Sequence, residues 1–305
     1  MDKILVIGSY NIGLTVIGDA IPKEGQTVLG DTFDKGPGGK GSNQAITIAR
    51  LGGNVVFLAR IGRDSFGKEA LELFSNEHID TEHVRIDPDA HTGAGIIFVD
   101  KNGHNAIGVA PGANYKLSVK DLEESVALFG QCRYLLIQLE TPLPVVFHAV
   151  KKAKQANMKV VLNPAPAQKL EPSIYPLLDF ITPNETEAEI LTGIAIKDQK
   201  DAFKAGKRLV SMGVKNVIVT LGADGCVLVS NSVEKAFLPP KVKAVDTTGA
   251  GDAFNGGFVF ALAQNRDVEE AIDFASKVAA YSVLTVGVVP GLPTMKDLTR
   301  HFGKI

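Results

Sequence analysis

An α/β fold is what this 305-residue sequence predicts: a largely parallel sheet with helices on both faces, plus one small β-rich subdomain. Three observations carry that expectation. From residue 117 onward, short apolar runs alternate with stretches of helical apolar spacing. Glycine is abundant, 31 of 305 residues, and it gathers where strands hand over to helices. Two early stretches, around 12–34 and 92–110, are strand-like without intervening helices, so they do not easily join a doubly wound sheet.

Taken in order, Lys3–Ile7 reads as a buried strand ended by Gly8-Ser9. Residues 12–34 are sparse strand, broken by Pro22 and Gly25. Ser42–Leu51 has helical spacing and stops at Gly52-Gly53. Val55–Ala59 is a strand and Ser65–Phe74 an amphipathic helix. Gly95–Val99 and Ala106–Ala110 flank Lys101-Asn102-Gly103, a hairpin signal. Helices are expected at 118–128, 144–156, 185–192 and 199–212. Strands are expected at Tyr134–Gln138, Lys159–Leu162, Phe180–Thr182, Val217–Leu221 and Cys226–Ser230. Two apolar helices, about 250–264 and 268–284, close the chain.

Composition excludes several classes. Lys plus Arg total 32 and Asp plus Glu 34, a net charge of −2, which speaks against a nucleic-acid-binding role. No apolar run approaches the ~18 residues a membrane span requires. The apolar run at the N-terminus is too short for a secretory leader. Cys132 and Cys226 lie far apart and form no CxxC unit, so a reducing compartment, the cytoplasm, is expected. The six histidines show no metal-ligand spacing, and no G-x-S-x-G elbow occurs.

Chemistry concentrates in the glycine clusters. Asp246-Thr247-Thr248-Gly249-Ala250-Gly251-Asp252 runs directly into an apolar helix. Glycines at a helix start free N–H groups for an anion, and the helix dipole adds to the attraction. An aspartate beside an anion would repel it. Its presence points to a chemical role, that of taking a proton from the group that attacks a phosphate. The bland alternative is a tight turn with Asp252 as helix cap. The run is neither a dinucleotide fingerprint, since position 254 is Phe254, nor a Walker A loop, since Gly39-Lys40 is followed by Gly41. A second cluster, Gly36-Pro37-Gly38-Gly39-Lys40-Gly41-Ser42-Asn43-Gln44, also enters a helix, with Ser42 as N-cap in the bland reading. Asn184-Glu185-Thr186-Glu187 fits a capping box, Thr220–Gly225 a turn, and Asn163–Ala167 a proline-rich strand end. All three fall at C-terminal ends of expected strands, where open α/β sheets bind ligands.

Gly38–Gln44, Asn184-x-x-Glu187 and Asp246–Asp252, in this order and spacing, resemble the PfkB carbohydrate kinases, and within them the ribokinase branch, over essentially the whole chain. The resemblance implies one kinase domain over 1–305, a three-layer α/β/α ribokinase-like fold with a mostly parallel central sheet and a small β-sheet lid from about 12–34 and 92–110. It implies transfer of the γ-phosphate of ATP to a sugar's primary hydroxyl, D-ribose first. Another sugar, a nucleoside, or a catalytically idle sugar- or nucleotide-binding regulator are the alternatives. By the same resemblance Asp252 is the base, and Gly249, Ala250 and Gly251 form the anion hole. Asn11, Gly38, Gly39, Lys40, Asn43 and Glu140 contact the sugar. Asn184 and Thr220, Leu221, Gly222, Ala223, Asp224 and Gly225 contact the nucleotide, while Glu187 serves Mg2+ and phosphate positioning. Asp246, Thr248, Ser282, Thr285, Gly287 and Gly291 are expected around an activating K+ ion. A homodimer through the lid is expected, since Gly95–Val99 exposes an apolar face. One departure stands out. The branch carries Asn-x-Asp after the first strand, whereas this chain has Asn11-Ile12-Gly13, and Gln26 replaces the usual glutamate.

Overall fold

A computed structural model describes residues 1–305. β1 (Ile4–Ile7) is apolar throughout and fully buried, as a strand covered on both faces must be. β2 (Asn11–Gly18) and β3 (Gly30–Gly38) leave the main sheet and pair antiparallel with each other. α1 (Lys40–Arg50), β4 (Val55–Gly62), α2 (Ser65–Asn76) and β5 (Val84–Asp87) return to it. β6 (Gly93–Asp100) and β7 (Asn105–Ala110) form the second excursion, and β6 lies parallel to β2. The result is a separate four-stranded sheet in the order β3-β2-β6-β7. The two helix-free stretches therefore build one small sheet, with strands reaching Gly38 on one side and Ala110 on the other.

The remaining chain alternates strand and helix. α3 (Val119–Glu124) and α4 (Ala127–Gln131) precede β8 (Tyr134–Ile137), α5 (Leu143–Gln155) and β9 (Lys159–Leu162). β10 (Phe180–Ile181), α6 (Glu185–Thr192), α7 (Gln199–Ser211) and β11 (Asn216–Thr220) come next. β12 (Cys226–Ser230) and β13 (Glu234–Phe237) turn back antiparallel. α8 (Ala250–Ala263), α9 (Val268–Ser282), α10 (Val288–Gly291) and α11 (Met295–Phe302) complete the chain. No helix is long and apolar enough to cross a membrane.

The main sheet has nine strands in the order β13-β12-β11-β10-β9-β8-β1-β4-β5. Alternate residues of β1 point to opposite layers. Ile4 and Val6 join the core under α1, α8 and α9, while Leu5 and Ile7 join the core under α5 and α7. The strand order reverses at β1: β4 and β5 extend one way, β8 to β11 the other. That reversal leaves a crevice at the carboxyl ends of β1 and β8, the place where such sheets bind ligands.

Five elements depart from the sequence expectation. The helix expected at 118–128 is two pieces, because the chain tightens into i→i+3 bonds at Ser125, Val126 and Leu128. The Ser125 hydroxyl is also taken by His83 and Arg85. β5 and β13 were not expected. Their charged residues (Arg85, Glu234, Lys235) mask the strand pattern, as charges on edge strands do. The chain does not close with α9, since α10 and α11 come after it. α11 begins with a capping box in which the Thr294 hydroxyl accepts from the Asp297 N–H and the Asp297 carboxylate from the Thr294 N–H.

Candidate active site

Residues just beyond the strand ends line the crevice. Ser9, just after β1, donates its hydroxyl to Glu140, just after β8, so the two sides of the reversal are tied across its mouth. The same Glu140 oxygen accepts the Lys40 N–H at 2.9 Å. That bond fixes the start of α1 over the crevice. The helix begins at Gly39, whose φ of 95° and crowding suit glycine alone: a Cβ would lie 2.8 Å from the Asn11 nitrogen. Ser42 does not cap α1. Its hydroxyl instead donates backward to the carbonyls of Gly38 and Gly39.

One turn into α1, two amides converge on Asp252. Asn43 Nδ2 donates to Asp252 Oδ2 at 2.8 Å, and Gln44 Nε2 to Oδ1 at 2.9 Å. Gln44 is itself held: its Nε2 also reaches Asn163 Oδ1 at 3.0 Å, and its Oε1 accepts from Gln138 Nε2 at 2.6 Å. Asn43 Oδ1 is buried and has no partner in the chain. A buried acceptor left over beside a carboxylate is a ready contact for a ligand hydroxyl.

Asp252 is buried in the first turn of α8. Burial drives its pKa above the usual aspartate value, outweighing the Lys40 ammonium and the two amide donors. Glu187 is raised in the same way, burial again exceeding the pull of the Asn184 N–H and Lys40. Burial works against the Lys40 ammonium, but the Asp252, Glu140 and Glu187 carboxylates prevail and hold its pKa above the ordinary lysine value. Three carboxylates thus face one cation. That excess of negative charge fits a divalent cation arriving with phosphates, although no cluster of three protein ligands could cage one alone.

The start of α8 supplies the donors. Gly249 sits in the left-handed region, at φ 78°, and a Cβ there would lie 2.4 Å from Val288 Cγ1. The N–H groups of Gly249 and Gly251 make no bond within the chain. The third expected member of the hole differs: the turn at Gly249 brings the Thr247 carbonyl onto the Ala250 N–H, at 3.2 Å. Two free N–H groups beside a buried carboxylate, at the positive end of a 14-residue helix, make an arrangement of the kind that receives an anion, with a proton-accepting group at its edge.

Asn184 and Glu187 do form a capping box at α6: the Asn184 oxygen accepts the Glu187 N–H at 2.8 Å, and Glu187 accepts the Asn184 N–H at 2.9 Å. The bland reading of this motif is therefore realised, and its glutamate still faces Lys40 and Asp252. A β-bridge joins Asn184 to Thr220. Leu221 is buried, and Gly222, Ala223 and Asp224 form an exposed turn that Gly225 closes onto the Leu221 N–H at 2.8 Å.

The expected potassium residues fall into two touching segments. Asp246 accepts the Thr248 N–H and the Gly287 N–H, each at 2.9 Å. Burial pushes its pKa up, but those two donors prevail and keep it below the usual value, so the group stays ionised. Gly291 packs on the Ser282 carbonyl, 2.4 Å from its would-be Cβ. A fixed, ionised carboxylate is the kind of oxygen ligand that a hard cation takes. Thr285 is exposed and bonds to none of this group.

Four site residues went unassigned from sequence: Ser9, Gln44, Gln138 and Asn163. Gln138 had a signal, being the first polar residue after a buried apolar strand.

The chain matches the family model of the pfkB family carbohydrate kinases over residues 1–295. It is similar to the ribokinase of Haemophilus influenzae, 43% identical over 96% of this chain and 95% of that protein. Its fold matches the crystal structure of a Thermotoga maritima ribokinase with a TM-score of 0.91, at 35% identity and over all of both chains. It also matches an Arabidopsis thaliana ribokinase in complex with ribose and ATP, with a TM-score of 0.90, at 30% identity and over 98% of each chain.

Proposed function

This chain belongs to the pfkB family of carbohydrate kinases, and from that premise we propose that it transfers the γ-phosphate of ATP to the primary hydroxyl of D-ribose. The observation that carries the proposal is Asp252, a buried carboxylate of raised pKa, set between two amide donors and two free N–H groups. Asp252 takes the hydroxyl proton as the oxygen attacks. The N–H groups of Gly249 and Gly251 hold the oxygens of the moving phosphoryl group. Asn43 Oδ1 and Glu140 orient the sugar, with Asn11, Gly38, Gly39 and Lys40 around it. Asn184 and the turn Thr220–Gly225 receive the nucleotide. Glu187 would help hold a Mg2+ ion arriving with the phosphates, and such an ion would supply charge neutralisation there.

A coupled ADP assay with ribose tests this reading and its potassium dependence together. Turnover should need ribose, rise with K+, and rise less with Na+. Asp246→Ala should abolish the K+ response. A rate indifferent to monovalent ions would exclude the site around Asp246, Thr248, Ser282, Gly287 and Gly291.

A pH dependence arises from Asp252. The base works as the carboxylate, so protonation silences it, and its raised pKa moves the acid limb of kcat/KM above the usual aspartate value. Lys40→Met removes the ammonium that opposes the rise, so the limb should move to still higher pH. An unmoved limb would show that the group titrating there is not Asp252.

The small sheet acts as a lid and joins two copies into a homodimer. Its edge strand β7 is exposed along its whole length, and Phe33, Ile107 and Val109 are all more than half exposed. Such an edge is a template for pairing, and such apolar surface is normally covered. Sedimentation at micromolar concentration should show a dimer. Both cysteines are free and buried, which suits the reducing cytoplasm.

A further inference from the structure

Gly13, Gly36 and Gly95 stand side by side on three neighbouring strands, since Gly13 pairs with Gly36 on β3 and with Gly95 on β6. Side chains alternate along a strand, so these glycines share a face with the preceding row, Asn11, Gly38 and Gly93. That row leads straight into the site. Gly38 continues through Gly39 to Lys40 and Asn43, and the Asn11 side chain is pinned by Asn114 at 2.9 Å.

Backbone conformation calls for glycine at none of the three positions, and packing calls for it at neither Gly36 nor Gly95. None has a positive φ. Nothing lies within 4 Å of a Cβ placed on Gly36 or Gly95, and one on Gly13 would meet the Gly36 carbonyl at 3.3 Å. Gly95 is nevertheless buried, so the free space above it belongs to a cleft rather than to open surface. Glycine weakens a strand interior, and a row of three marks a place where something else comes close to the backbone. The patch is chemically plain. The N–H and C=O groups of Gly13 and Gly95 lie in strands paired on both sides. Its border is apolar, with Ile97 next along the row and Val109 beside Gly95. It offers width and no charge.

We propose that this glycine face is a widened acceptor subsite that admits, besides ribose, a sugar carrying extra carbon on the edge that faces the lid. The inference rests on the kinase reading above and concerns the acceptor alone. A ketohexose and a nucleoside both present a primary hydroxyl with additional carbon, and the test distinguishes them.

The experiment compares kcat/KM for D-ribose, D-fructose and adenosine with ATP, on the wild-type protein and on Gly36→Ala and Gly95→Ala. The added methyl groups enter free space, so both variants should fold, and thermal midpoints check this. At least one larger acceptor should be used as efficiently as ribose. Gly95→Ala should lower its kcat/KM about 10-fold or more, mostly through KM, the scale on which one methyl group discriminates in a filled pocket. Ribose should be unaffected or improved. Preference for ribose, with both variants indifferent for every acceptor, would overturn the inference and leave the kinase standing. A variant that loses the dimer but keeps its acceptor preference would assign the glycines to the second copy instead. No turnover of any acceptor, with ATP still bound, would remove the kinase reading and this inference with it.

Discussion

Asp252→Asn should lower kcat by at least the ~10²–10⁴ that general acid–base catalysis supplies, while ATP binding is largely kept. That loss corresponds to about 3–5 kcal/mol of transition-state stabilisation. The variant should fold. The new amide would set a donor against a donor at either Asn43 Nδ2 or Gln44 Nε2. Asn43 can answer by turning its own amide, because its Oδ1 has no partner to lose. Removing a buried charge also helps. A carboxyl whose folded pKa is raised adds stability at low pH that is lost as pH rises through that pKa, so at neutral pH Asp252 is a burden the neutral amide lifts. An unchanged or higher thermal midpoint beside a collapsed kcat is the expected pair of results. Near-normal turnover would eliminate Asp252 as the base.

The second large effect lies three residues earlier. Gly249→Ala should cut kcat about 10²–10³-fold, the usual result of disabling one donor of a preorganised anion hole. Two separate costs act there. A side chain at φ 78° is strained by roughly 1–2 kcal/mol. The new Cβ also meets Val288 Cγ1 at 2.4 Å, which pushes the turn and its N–H groups out of line. Val288→Ala in the same protein relieves the clash but not the strain, so the double variant should recover part of the rate. Equal rates in the single and double variants would show that Val288 plays no part.

The setting of these two residues was legible because it is local. A Gly-x-Gly-Asp run before an apolar helix announces free N–H groups and a carboxylate from seven residues of sequence. The alternation from β8 to β11 was legible for a similar reason, since each strand and each helix carries its own period. The scaffold that holds Asp252 in place was not legible. Gln44 stands 208 residues from it and Gln138 lies 94 residues from Gln44, and no local pattern encodes those bonds. Ser42 shows the limit of motif reading at short range: a serine at a helix start caps in most settings, but here Gly39 had already turned the chain. The edge strands β5 and β13 escaped because their charges serve solubility, a property of the outer surface rather than of strand pairing.

The bond between Ser9 and Glu140 closes a gap of 131 residues, and that between Asn43 and Asp252 one of 209. The small set of side chains around Asp252 is therefore a long-range assembly, drawn from nearly the whole length of the chain. Loop-closure entropy makes such contacts late to form. The first strand pairs with β4 on one side, and gains its second neighbour only when β8, more than a hundred residues on, arrives at the other. During synthesis the ribosome releases the small sheet, the glycine-rich loop before α1 and most of the main sheet well before α8 emerges. Until then Asn43 and Gln44 have no carboxylate to hold, and the nascent chain is a scaffold without chemistry. With Asp252 as the proposed base, catalytic competence would arrive only with the finished molecule, and an N-terminal fragment ending before Asp252 should show none.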